Sequence, residues 1–267
     1  MEAQGLNILA PARIGGIFPE DYQQIMQWLV KGARDCVVTV MNEYLRPLIA
    51  LFEEHADAET AVPMVKYMRN KFEYLGIKTP LRRALFKQFL SEYGLPPGDE
   101  LEDIVRQLWL MPQREYQYTA QGLLDRMKRE IGPQHLPLLE YLLVTKSWWD
   151  TVDGLAAHQV GGLFARHPET RMPAIERWRY SADFWLRRTT LIFQLRYKDK
   201  TDEALLFALI NDNLGSKEFF INKAIGWALR EYSKTDGTAV IDFVQRTPLE
   251  PLSEREALKW MKNKGMI

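Results

Sequence analysis

The chain has 267 residues, 46% of them hydrophobic, with 35 Lys/Arg against 35 Asp/Glu and one cysteine. That much apolar material can bury a sizeable core, which excludes a disordered chain, while the longest apolar runs fall far short of the roughly 20 residues that span a bilayer. Cys36 alone permits neither an internal disulfide nor a zinc site of several thiolates, so a reducing cytoplasm is expected.

The N-terminus lacks a basic stretch followed by an apolar segment, so no export leader is expected. Zero net charge conceals an imbalance. Residues 1–60 carry 4 Lys/Arg and 9 Asp/Glu, which leaves 31 and 26 for the remainder. The longer part is therefore mildly basic, too mildly for whole-chain charge to decide whether a polyanion binds.

Apolar spacing of 3.6 residues runs through most of the sequence, and strand-like alternation is scarce. The first helices are expected over 20–33, 38–56 and 59–74. In GIKTPLRRALFKQFLSEYG, Thr79 is the expected N-cap, Pro80 takes the first helical position, Gly94 follows the last turn, and Leu81, Leu85 and Phe89 share a face. Further helices are expected over 100–110, 114–129, 136–144, 148–165 and 170–178, then 183–197, 201–212, 217–233, 237–245 and 253–263. Connections are short and often carry Pro, Gly or Asp.

A loose repetition runs through these helices. LWLMPQREYQYTAQGLL, SADFWLRRTTLIFQL and GSKEFFINKAIGWALREY each open with a polar turn beside an aromatic and carry Arg or Lys near the helix start. From Trp185 to Phe220 is 35 residues, as is Arg188 to Lys223, an interval suited to a two-helix repeat. The expected fold is all-α, a curved α-α superhelix of HEAT-like repeats with a long concave surface.

KSWWDTVD, residues 146–153, concentrates the chemistry. Ser147 is the expected cap of a helix starting at Trp148, with Asp150 at its third position. Trp149 and Asp153 are four apart and share a helical face. An indole face beside a carboxylate suits a cation, through the ring quadrupole and a full opposite charge. The alternative is a pair of core tryptophans with Asp153 bound to a neighbouring Arg or Lys. In WLRRTTLIFQLRYK, Arg187 and Arg188 project about a quarter-turn apart, so one can face a groove and bind phosphate while the other is solvated. Trp227 follows Gly226, which would admit a close helix or ligand, and Tyr67 lies in a basic helix with Lys66, Arg69 and Lys71.

Other chemistries are set aside. There is no phosphate-binding glycine-rich loop, HExxH or GxSxG, and the four histidines lack metal-ligand spacing. No metal or cofactor is expected.

KSWWDTVD, WLRRTTLIFQLRYK, SKEFFINKAIGWALREY and PLSEREA, in this order and joined by YMRNKFEYLGIKTPLRR, resemble the AlkD-type family of HEAT-like repeat DNA glycosylases, the DNA alkylation repair enzymes. The resemblance covers about 45–265, so the expected glycosylase domain is 45–267, and residues 1–44 form an acidic helical extension outside it. It implies that Trp149, Asp153 and Trp227 line the active-site cleft, with Asp153 the catalytic carboxylate. It further implies that Arg188 contacts the DNA backbone near the lesion and that Tyr67 is a cleft aromatic, and none of the five positions departs from the pattern. Trp148, Arg187 and Lys223, in the same motifs, complete the expected DNA-binding set. The implied activity is excision of cationic N3- or N7-alkylated purines, 3-methyladenine and 7-methylguanine, from double-stranded DNA without base flipping, by a monomer. The competing expectations are a HEAT-type scaffold that binds DNA or protein without chemistry and an aromatic-cage reader of methylated cations.

Overall fold

In the computed structural model of the chain the described residues are 41–267, and those from Asn42 onward form one compact unit. The unit is an all-α repeat solenoid. Its helices are α1 Leu45–Glu54, α2 Ala58–Tyr67, α3 Thr79–Tyr93, α4 Leu101–Leu110, α5 Arg114–Arg126, α6 Leu136–Val144 and α7 Trp149–Gly154. A π-helical stretch, Leu155–Val160, joins α7 to α8 Gly161–Arg166. Then follow α9 Arg171–Trp178, α10 Phe184–Ile192, α11 Glu203–Asn211, α12 Phe219–Tyr232, α13 Gly237–Arg246 and α14 Pro251–Asn263. Among the described residues the one β-type pairing is an isolated parallel bridge between Glu73 and Gln113. The helix expected over 20–33 lies outside them.

Acidic caps start many of these helices. Asp57 accepts from the amides of Glu59 and Thr60, Asp183 from Trp185, Asp202 from Leu205, Glu218 from Phe220 and Asp236 from Ala239. Each satisfies an orphan donor and meets the positive end of the helix dipole.

Three local expectations are corrected. Thr79 is the first residue of α3, with Lys78 before it making no side-chain cap, and Leu81 is exposed while Leu85 and Phe89 are buried. The helix expected to reach residue 74 stops at Tyr67, because Arg69 and Asn70 take left-handed conformations, φ 55° and 57°. The Asn70 amide then bonds back to the Val65 carbonyl at 2.9 Å, closing the turn. Beyond it the chain is extended, and the buried Glu115 carboxylate accepts the amides of Leu75, Gly76 and Ile77 at 3.0–3.1 Å. Lys66, Arg69 and Lys71 therefore do not share one basic helix.

The repeat interval is real in space. Trp185 and Phe220, 35 apart, have ring centroids separated by 5.0 Å, and Trp148 meets both edge-on at 5.8 and 5.0 Å. Successive helix pairs are thus joined by a column of aromatic rings, which adds to the apolar area they bury. α12 packs along α14, and Gly226 is the reason they come so close: a Cβ there would lie 2.5 Å from Glu256 Cβ and 2.8 Å from the Ser253 carbonyl oxygen. The close approach anticipated at Gly226 is that of a helix.

Candidate active site

The short helix α7 is fixed from behind by buried charge. Arg114, the first residue of α5, is fully buried and forks onto Asp150, Nε to Oδ2 at 2.9 Å and Nη2 to Oδ1 at 2.7 Å. Its remaining donors reach the Lys146 carbonyl at 2.8 Å and Thr151 Oγ1 at 2.9 Å. Tyr118 donates its hydroxyl to Asp150 Oδ2 at 2.6 Å, and the Tyr74 hydroxyl lies 3.0 Å from that of Tyr118. Ser147 does not cap α7. It donates to the Leu143 carbonyl at 2.7 Å, closing α6, while Trp148 is the residue at the α7 boundary. The acidic residue in the first turn of α7 is held by a buried guanidinium, since extended backbone at Trp148 turns Ser147 away from that turn.

One turn on, Asp153 faces Arg188 of α10. The contact is two-pronged, Nε to Oδ1 at 2.8 Å and Nη2 to Oδ2 at 2.9 Å, and Nη1 donates to the Phe220 carbonyl at the start of α12. Arg188 is only 2% exposed, whereas the Asp153 side chain keeps 19% of its surface open. Burial pushes the Asp153 carboxyl above the ordinary aspartate range, and the hydrogen bonds and charge of Arg188 pull it partly back. The result is an oriented carboxylate with one side available.

Aromatic residues occupy the same helix and neighbouring elements. Trp149 is half-buried, and the ring of Tyr67, itself 73% exposed, approaches it edge-on at 6.2 Å. Trp227 is half-buried on α12, two turns after Phe220 and on the same face. Trp148 is buried within the aromatic column, with the Lys71 ammonium 4.7 Å from its ring centre and its indole N–H without a protein partner among the described residues.

The expected DNA-binding residues divide accordingly. Tyr67 is on the surface, while Trp148 and Arg188 are interior. Arg187 folds back onto the carbonyls of Ser181 and Ala182, and Lys223 is ion-paired with Glu256 at 2.8 Å. Arg188, expected at a phosphate, is paired with Asp153 in this arrangement. Residues missed by sequence reasoning include Arg114, Tyr118 and Phe220 in these roles, although the 35-residue interval separating Asp153 from Arg188 equals that between Trp185 and Phe220.

On the other side of Trp149 lies a cleft of about 1010 Å³, bounded by α2, α3, α5 and α7. Trp149, Asp150 and Gly154 form one wall and the basic residues of α3 another. Among the described residues no group of three or more His, Cys, Asp or Glu is placed to hold a metal, and no helix is long and apolar enough to cross a membrane. The arrangement can stabilise positive charge at Asp153 and present cations to a polyanion beside it.

Comparison with known proteins identifies relatives of the chain. A family model described as DNA alkylation repair enzyme matches residues 48–261. A solved structure described as a predicted DNA alkylation repair enzyme from Enterococcus faecalis is 34% identical, with a TM-score of 0.71, covering 77% of this chain and 96% of that one. No curated protein matches the sequence.

Proposed function

The chain belongs to the DNA alkylation repair enzyme family, and from that premise we propose that it is a DNA glycosylase removing cationic N3- and N7-alkylated purines from duplex DNA. The observation that carries the proposal is the partly open Asp153 carboxylate, held at two points by Arg188 and set one turn from Trp149.

Alkylation at N3 of adenine or N7 of guanine makes the base cationic, so it leaves as a neutral purine without being protonated. The electron pair of the C1′–N bond departs with the base, and the deoxyribose gains oxocarbenium character. Asp153 stabilises that charge and orients the water whose oxygen bonds to C1′ and whose proton is then lost to solvent. Trp149 and Trp227 pack against the sugar and add cation-π attraction. Arg188 keeps the carboxylate aimed and ionised, a positioning role. No deep base-reading pocket is needed, because recognition rests on a sugar becoming positive; the lesion stays near the stack, and the protein acts as a monomer.

Methylated duplex incubated with wild-type protein and with Asp153→Asn, followed by quantification of released 3-methyladenine and 7-methylguanine, tests this reading. Release by wild type that is strongly reduced in the variant supports it. Wild type that binds the duplex and releases no base refutes it and leaves a non-catalytic DNA-binding relative.

A further inference from the structure

The cleft beside Trp149 contains an arginine without a counter-ion. Arg82, on the second turn of α3, is half-buried in the cleft wall, and its guanidinium carbon lies 5.0 Å from the ring centre of Tyr118. It has no carboxylate partner among the described residues, in contrast to Arg114, Arg179, Arg188 and Arg230. The two carboxylates of the cleft are engaged elsewhere. Asp150 is saturated by Arg114 and Tyr118, and Asp125 accepts from Gln159 at 2.7 Å and lies 3.5 Å from His158. Burial lowers the Arg82 pKa from its ordinary value, the charge of Arg83 adds to that, and Tyr118 and the Glu115 carboxylate, which makes no ion pair with it, offset only part of the cost.

An unpaired, partly desolvated guanidinium stacked on a tyrosine is a costly arrangement unless an anion arrives to complete it. Its planar fork matches a phosphate at two points. Lys78, just before α3 and one turn from Arg82, the adjacent Arg83, and Lys87 one turn beyond Arg83 line the same cleft, and they too lack ion-pair partners among the described residues. Trp149 belongs both to this wall and to the catalytic helix, so a strand whose sugar sits at Asp153 passes the mouth of the cleft.

We propose that this cleft is a backbone-phosphate subsite, in which Arg82 takes a DNA phosphodiester on the α3 side of Trp149 and the neighbouring cations of α3 track the adjoining backbone. The inference rests on the DNA-repair reading and names its second point of purchase on the duplex. Arg82 fixes the register of the strand, and Asp153 acts on the sugar so presented.

The experiment is the salt dependence of binding to an undamaged duplex by the full chain, wild type against Arg82→Gln and Arg82→Lys. Loss of one phosphate contact lowers the magnitude of the log K against log salt slope by about 0.9. Arg82→Gln is expected to show that loss, and Arg82→Lys, which keeps the charge, to retain the wild-type slope. Should Arg82→Gln fail to fold, Arg82→Met, which keeps an apolar stem against Tyr118, gives the same reading. A folded neutral variant with the wild-type slope overturns the proposal, as does a change confined to binding of inorganic phosphate. Base release by wild type is scored in parallel, so an inactive protein refutes the glycosylase reading while the slopes still decide the role of Arg82.

Discussion

Asp153 and Arg188 meet as a two-point carboxylate–guanidinium pair in which the cation is almost completely buried and the anion is not. In the proposed mechanism the asymmetry divides the roles: the buried member orients, and the open member acts. Asp153→Asn should lower base release by about 10²–10³-fold, the range seen when a preorganised electrostatic stabiliser is lost. It also leaves Arg188 buried without its counter-charge, so stability should fall by about 3 kcal/mol. Urea unfolding of the variant beside its single-turnover base release separates the two effects.

The pH dependence of base release should report the same pair. The ionised carboxylate is the active form, so activity is lost as pH falls through the Asp153 pKa, which burial holds above the ordinary aspartate value. Arg188→Gln removes the influence that lowers it, so the acidic limb should move to higher pH. Stability runs the other way. A carboxyl raised in the folded state favours folding below its unfolded pKa and withdraws that contribution as pH rises through the folded value. A limb that stayed in place in Arg188→Gln would count against the positioning role.

Behind α7 the expected effects are unequal. Arg114→Ala leaves Asp150 unpaired in the interior and should cost about 3–5 kcal/mol. Ser147→Ala removes one hydroxyl bond to the end of α6 and should cost about 1 kcal/mol. Thermal melts of the two variants check the ranking, and equal losses would contradict the support assigned to Arg114.

Gly226→Ala should destabilise by about 1–3 kcal/mol, the cost of overpacking, because the new methyl meets Glu256 Cβ and the Ser253 backbone of α14. Since Lys223 and Arg230 both pair with Glu256, separating the helices loosens those contacts as well. Chemical denaturation is the measurement, and a neutral result would mean that α14 can retreat.

Tyr67→Ala removes an exposed ring, so its effect on stability should stay within about 0.5 kcal/mol. Base release should nevertheless fall several-fold, since Trp149 loses its edge-on neighbour at the mouth of the site. The melt and the release assay together distinguish a surface bystander from a cleft aromatic.

The helical array was legible because apolar spacing, Pro at first turns and acidic caps are local signals, and the 35-residue interval exposed the repeat. Trp149 and Asp153 were legible because four-residue spacing places them on one helical face whatever the surroundings. The partner of Arg188 was not, since both a phosphate and a carboxylate satisfy a guanidinium and the choice depends on a residue one repeat away. Ser147 misled for a related reason: a hydroxyl between two helices can serve the end of one or the start of the next, and the backbone at Trp148 decides. The stop at Tyr67 rests on left-handed Arg69 and Asn70, where residues compatible with helix occupy a conformation that glycine usually fills.

The line from Asp153 through Arg188 to the Phe220 carbonyl crosses α7, α10 and α12, which belong to successive helix pairs. In an array stabilised mainly between neighbours, opening can begin at one end and leave the other intact. If the proposed reaction centre is strung across these three units, catalytic competence becomes a report on their joint folding. Fraying that reaches α12 disconnects Arg188 from its backbone anchor even while α7 remains folded, so the proposed chemistry is confined to molecules in which the array is closed from α7 through α12.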